Sequence, residues 1–265
     1  MVAMGPDPNC VQLVHLSRIS HKYQFRSIET WALEALNNYF VSHPSAFDSL
    51  PPSLPAPGNA PADPPAPSLV QVTELAALCE RMDLLSLAVN RWKHLIAQGK
   101  DLSLAINLGE RFNLKPITGL AYYHMMLKGR SHWDTESTLS REQRGRLLSG
   151  YYSLGKLWDT LQSQPPLINH TARCASQQRC NKAWTGVWKA VVDVVTNVIP
   201  SIPKDDLLAR CMLAEAMVKA LMESQIPSQG FLDGIPSCRE SALVATQMRV
   251  REIRDALADH FMDEF

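Results

Sequence analysis

The stretch of sequence that indicates the fold class most clearly is LGERFNLKPITGLAY, residues 108–122. Its apolar residues Leu108, Phe112, Leu114 and Ile117 follow helical spacing, interrupted by a short turn. The spacing predicts a helix, a turn and a second helix, with the two central apolar side chains holding the turn. A bulky residue, Tyr122, follows five positions after the last of the four. Alternating strand patterns are nearly absent along the chain, so we predict an all-α fold.

The same spacing of four apolar residues occurs at residues 19–28 and 78–87. The second and third copies are 30 residues apart, and the first precedes the second by 59. Because one helical pair cannot bury its apolar face alone, repeated pairs are expected to stack and share a core. In this register Phe25, Leu84 and Leu114 occupy one slot, and we predict that all three are buried packing anchors.

Residues 42–68 hold nine of the 18 prolines and only two charged residues. Proline removes backbone donors and fixes φ, so this stretch is predicted to be a disordered linker without helix or strand. The predicted organisation is therefore a helix pair at 1–41, a linker at 42–68 and a helical domain at 69–265. Long helices are expected near the C-terminus, where apolar residues at helical spacing run from Leu207 to Met222 and from Leu243 to Phe261.

Residues 16–32, LSRISHKYQFRSIETWA, resemble the closing helix pair of a BTB/POZ domain. The family pattern there is A-x-K-Y-x-hydrophobic-x-S-L. Lys22, Tyr23, Ser27 and Ile28 keep it, whereas Ser20 stands in place of the usual alanine. The remaining units are similar to the helical extension of BTB-domain proteins from mushroom-forming fungi.

The resemblance to the BTB family implies a BACK-like stack of helix pairs. It also implies a scaffold, or the remnant of a ubiquitin-ligase substrate adaptor. Few residues precede the matching helix pair, so we expect the BTB core to be missing from this chain.

Composition narrows the classes of partner. Lys plus Arg and Asp plus Glu number 26 each, so the net charge is zero and we do not expect nucleic-acid binding. Trp184 and Trp188 lie in a locally basic stretch, but their spacing is typical of a core stripe. No apolar run reaches the length of a membrane span, and residues 1–8 do not read as a secretory signal. The predicted location is cytoplasmic or nuclear, without membrane attachment.

The best candidate for a metal site is His170, Cys174 and Cys180. Histidine and cysteine are the ligands that zinc prefers, and the first two would share a face of a continuous helix. Cys180 lies about 240° around such a helix and would need a break to converge. No fourth ligand lies nearby in sequence; either Cys238 or His260 would have to fold back.

Two further motifs resemble catalytic sites but are incomplete. Gly150, Gly155 and Lys156 have the spacing of a phosphate-binding loop, yet Leu157 replaces the hydroxyl residue that holds magnesium. Ser153 and Lys156 match the serine–lysine spacing of some hydrolases, but the companion motifs are missing. We interpret both as parts of one helix.

The sequence therefore favours a non-catalytic helical protein-interaction module that binds an unidentified protein partner and needs no cofactor. The alternative is a metal-binding all-helical protein, or an enzyme, that uses zinc at His170, Cys174 and Cys180.

Overall fold

The computed structural model describes residues 9–43, 68–199, 202–223 and 238–262. In these residues the structure is all-helical and contains no strand, which confirms the predicted fold class. Of the proline-rich segment, residues 44–67 lie outside the described residues. The α-helices are α1 Cys10–Lys22, α2 Arg26–Ser42, α3 Leu69–Leu78, α4 Met82–Ala97, α5 Leu102–Arg111, α6 Lys115–Leu127, α7 Arg130–Thr135, α8 Arg141–Ser163, α9 Gln177–Asp193, α10 Leu207–Glu223, α11 Arg239–Asp255 and α12 Asp259–Met262, and a π-helical turn, Val194–Val198, continues α9.

The chain divides into two compact units, Met1–His124 and Met125–Phe265. Their boundary falls inside the segment 69–265 that the sequence pattern treats as a single helical domain. The separate status of residues 1–41 and 42–68 stays a prediction, as does the BACK-like character of the stack.

Three turns of the first unit end a helix in the same way. The residue after each helix cap, namely Gln24, Glu80 or Asn113, has a positive φ of 61°, 51° or 52°. The next backbone N–H donates to the carbonyl five residues earlier, over 2.8–2.9 Å, and this is the Schellman arrangement. These bonds satisfy carbonyls that the helix end would leave unpaired, and the chain enters the next helix at once. The bonded pairs are Phe25 with Ser20, Arg81 with Ala76, and Leu114 with Gly109.

The repeat is therefore present, but its predicted register is wrong. The equivalent turn residues are 56 and 33 positions apart, rather than 59 and 30. In the observed register each first helix buries a leucine and each second helix buries an alanine without any exposed surface. These residues are Leu13, Leu69 and Leu102, and Ala32, Ala88 and Ala121.

The prediction that Phe25, Leu84 and Leu114 are equivalent buried residues is also wrong. Leu84 is fully buried, whereas Phe25 is 55% exposed and Leu114 is half-buried. The physical reason is that several apolar residues at helical spacing, among them Tyr23 and Met82, lie on the surface and imitate a core stripe. Three- and four-residue spacing does not distinguish one helix face from another.

In the second unit, α9 is bonded to the chain segment that precedes it. The buried indole of Trp184 donates a hydrogen bond to the carbonyl of Pro166 at 2.8 Å. Trp188, one turn later, donates to the carbonyl of Leu161 at 2.7 Å. Both residues are core, as the sequence analysis predicted. The bond to Pro166 fixes the irregular segment between α8 and α9.

Candidate metal centre

Four side chains of the second unit converge on one point. His170, Cys174, Cys180 and Cys238 each offer one ligand atom, and all four atoms lie within 4.8 Å of one another. Cys180 and Cys238 are buried, and the other two residues are half-buried. The three residues chosen from the sequence are thus brought together, and a fourth candidate ligand, Cys238, joins them.

The first two ligands lie in the irregular segment between α8 and α9. The N–H of Cys174 donates to the carbonyl of Thr171 at 3.0 Å and closes a turn. The expectation that His170 and Cys174 share a helical face is wrong, because the polypeptide is not helical there. This irregular segment also supplies the break that Cys180 needs, since Cys180 lies in the first turns of α9.

The fourth member of the cluster is Cys238, one of the two residues considered from the sequence. It caps α11 and is fully buried, 58 positions after Cys180 in the chain. The other candidate, His260, lies apart from this cluster: its Nδ1 is 2.8 Å from the hydroxyl oxygen of Ser153. Sequence proximity could not have decided between them.

Two nitrogen–sulfur distances in the cluster match the edges of a zinc tetrahedron. Zinc bound at about 2.3 Å to sulfur and about 2.0 Å to nitrogen places nitrogen and sulfur about 3.5 Å apart. The Nδ1 atom of His170 lies 3.5 Å from Sγ of Cys174 and 3.7 Å from Sγ of Cys238. The residues present therefore fit zinc in both chemical type and spacing.

The imidazole of His170 is oriented from its other side by Asn181. Nε2 of His170 lies 3.0 Å from the side-chain oxygen of Asn181, so Nε2 carries the proton and donates. Nδ1 is then the unprotonated nitrogen, and it faces the three sulfurs. Such an outer partner is a regular feature of histidine that binds metal. Sequence reasoning missed Asn181, although its position next to Cys180 was a usable signal.

The pKa values of two thiols in the cluster, those of Cys238 and Cys180, shift in opposite directions. Burial raises the pKa of Cys238, but hydrogen bonds outweigh burial and lower that pKa to about 6. The backbone N–H of Thr171 and the thiols of Cys174 and Cys180 donate such hydrogen bonds. Burial raises the pKa of Cys180 to about 12, and Cys238 and Cys174 add to the effect. Cys238 is therefore the thiol whose ionised form the surrounding hydrogen bonds favour, and it lies at the N-terminal, positive end of α11.

The incomplete catalytic motifs fall inside α8, as interpreted. A Cβ at Gly150 would overlap the ring of Phe261, so this glycine permits close packing of α8 and α12. Ser153 bonds to His260 rather than to Lys156, which is exposed. The buried Trp184 and Trp188 offer no stacking surface for bases.

Comparison with protein-family models, with curated proteins and with solved structures gave no match for this chain. Across the described residues, every helix is too short or too polar to cross a membrane.

Proposed function

We propose that this chain is a zinc-binding helical protein, with His170, Cys174, Cys180 and Cys238 as the ligands. The observation that carries the proposal is the convergence of one nitrogen and three sulfurs within 4.8 Å of one another, with two nitrogen–sulfur distances at the spacing of a zinc tetrahedron. Soft sulfur ligands with one imidazole select zinc over magnesium or calcium.

The site is structural rather than catalytic. Four protein ligands fill a tetrahedral coordination sphere, whereas catalytic zinc keeps one position for water or substrate. Zinc here joins three parts of the second unit: the segment between α8 and α9, the start of α9, and the start of α11. Because the free energy of metal binding adds to that of folding, zinc stabilises the second unit.

Metal analysis of the purified chain tests this proposal. After treatment with a chelating resin, the parent protein should retain one tightly bound zinc per chain. Cys238→Ser should lose it. Cys211→Ala should keep it, because Cys211 is also a buried cysteine of the second unit but lies outside the cluster. A parent protein without stoichiometric metal would overturn the proposal.

A second function, protein interaction, is supported by the surface of the first unit. Large apolar side chains near the turns stand at least half exposed, with Tyr23 at 60% and Met82 at 68%. The exposed rings of Tyr23 and Phe25 lie 6.3 Å apart, and adjoining exposed apolar groups are typical of a contact surface. The resemblance to the region after a BTB domain supports the same function. In this account zinc maintains the fold and the first unit receives a protein partner.

A paired substitution separates this second function from the first. Tyr23→Ser with Met82→Ser should abolish partner binding while leaving the zinc content and the unfolding transition unchanged. Val244→Ser is the matched control, because Val244 is 45% exposed but belongs to the second unit. Partner binding that survives the paired substitution would contradict the assignment of this surface.

A further inference from the structure

We propose that the first unit holds a second zinc site, formed by His21, Glu29 and Cys79, with a fourth coordination position open to an exchangeable ligand. The ligand atoms of these three residues lie within 4.8 Å of one another. The incomplete catalytic motifs and the cluster in the second unit do not involve these residues.

Three separate helices supply the three ligands. His21 lies in the last turn of α1, Glu29 in the first turn of α2, and Cys79 caps the C-terminus of α3. Nδ1 of His21 is 2.9 Å from Oε1 of Glu29. The Schellman turns at Gln24 and Glu80 fix the backbone beside all three ligands.

The cysteine is specific to one turn of the repeat. The cap position that Cys79 fills in α3 is occupied by Tyr23 in α1 and by Phe112 in α5. If this cap position served only packing in all three turns, an aromatic ring would be expected in α3 as well. The thiol appears only where a neighbouring histidine and carboxylate complete a set of ligands.

The carboxylate is placed between the other two groups. Glu29 contacts His21 directly and also interacts with the Cys79 thiol. Burial, and after it the charge and hydrogen bond of Glu29, raise the pKa of that thiol to about 12, while Arg81 opposes them. A nucleophilic triad would instead need histidine in contact with the thiol and the carboxylate behind it. One central carboxylate with two flanking donors suits a shared metal ion better.

The open position faces an accessible pocket. A cavity of about 540 Å³ is lined by the three ligands together with Arg26, Thr30 and Arg81. Three protein ligands and access to solvent are the arrangement of zinc sites that bind water or an exogenous ligand. Arg26 adds positive charge to this lining, whereas Arg81 is paired with Asp83 through two hydrogen bonds and Glu80 also lines the cavity. This site thus differs from the closed site of the second unit.

Cobalt titration of the parent protein, with its tightly bound zinc in place, tests the second site. One cobalt per chain should bind and give a sulfur-to-cobalt absorption band from a single thiolate. Thiocyanate should then shift the visible cobalt bands, because it occupies the open position. Absence of the sulfur-to-cobalt band would overturn the proposal.

Two variants and one control show which cysteine produces the sulfur-to-cobalt absorption band. Cys79→Ser should abolish the sulfur-to-cobalt band, and His21→Gln should raise the cobalt concentration needed for half-saturation. Cys10→Ser is the control, since Cys10 is a free cysteine of the same unit outside the cluster. Circular dichroism of each variant verifies folding. A band that persists in Cys79→Ser, or disappears only in Cys238→Ser, would contradict the site in the first unit and leave the first zinc site standing.

Discussion

The side-chain oxygen of Asn181 accepts a hydrogen bond from Nε2 of His170 at 3.0 Å, on the side of the ring opposite the three sulfurs. Asn181 belongs to α9 and lies next to Cys180, so one stretch of helix supplies one candidate ligand and orients another. The position of Nδ1 toward the sulfurs is therefore set before a metal arrives.

Asn181→Ala should weaken zinc binding about 10- to 100-fold, which is the usual cost of losing an outer partner of a metal-bound histidine. Competition with a coloured chelator measures the change. Asn197→Ala is the control, because Asn197 lies on the surface and bonds only with nearby Asp193 among the described contacts. Equal zinc affinity in parent and Asn181→Ala would show that the hydrogen bond does not orient the ring.

Trp184→Phe should lower the free energy of unfolding by about 1–3 kcal/mol, because the carbonyl of Pro166 loses its buried donor. The change keeps an aromatic ring in the core, so the loss reports mainly on the hydrogen bond. Denaturant unfolding gives the value. Trp31→Phe, at a position 50% exposed, should cost far less. Similar losses at both positions would contradict the role assigned to Trp184.

The candidate site was only partly predictable from the sequence. Residue types identified His170, Cys174 and Cys180, because histidine and cysteine close together are rare outside metal sites and core packing. The fourth ligand could not be chosen, since Cys238 and His260 are both distant in sequence. Only the tertiary fold determines which of them approaches the cluster.

For the fold, the class and the repeat were predictable from the sequence, but the register of the repeat was not. Helical periodicity was sufficient for the all-α class and for the existence of repeated pairs. It was insufficient for register, because exposed Tyr23 and Met82 extend the apolar pattern beyond the core. The positive-φ residues Gln24, Glu80 and Asn113 mark the true register, but none of them is the glycine that usually reveals such a turn.

Leu84→Ala and Phe25→Ala test the corrected register as a pair. Leu84→Ala should cost about 2–5 kcal/mol, because it leaves a cavity in a fully buried site. Phe25→Ala should cost about 0.5 kcal/mol or less, since that ring is 55% exposed. Unfolding in denaturant measures both. Equal costs would restore the predicted common slot.

Gln24→Gly should stabilise the chain by about 0.5–1 kcal/mol, because glycine adopts positive φ without the steric penalty of a Cβ. Glu34→Gly, in the exposed interior of α2, should instead destabilise it by about 1 kcal/mol. Thermal unfolding of the two variants gives opposite shifts in Tm if the Schellman turn is correctly placed. A loss of stability in Gln24→Gly would contradict it.

X-ray absorption at the zinc edge, on resin-treated Cys79→Ser protein, tests the central claim most directly, because only the site in the second unit can then bind through sulfur. The account predicts three sulfur ligands at about 2.3 Å and one nitrogen at about 2.0 Å. Cys238→Ala added to this variant should abolish tight zinc binding. A zinc surrounded mainly by oxygen or nitrogen, or a protein without stoichiometric zinc, would contradict the account.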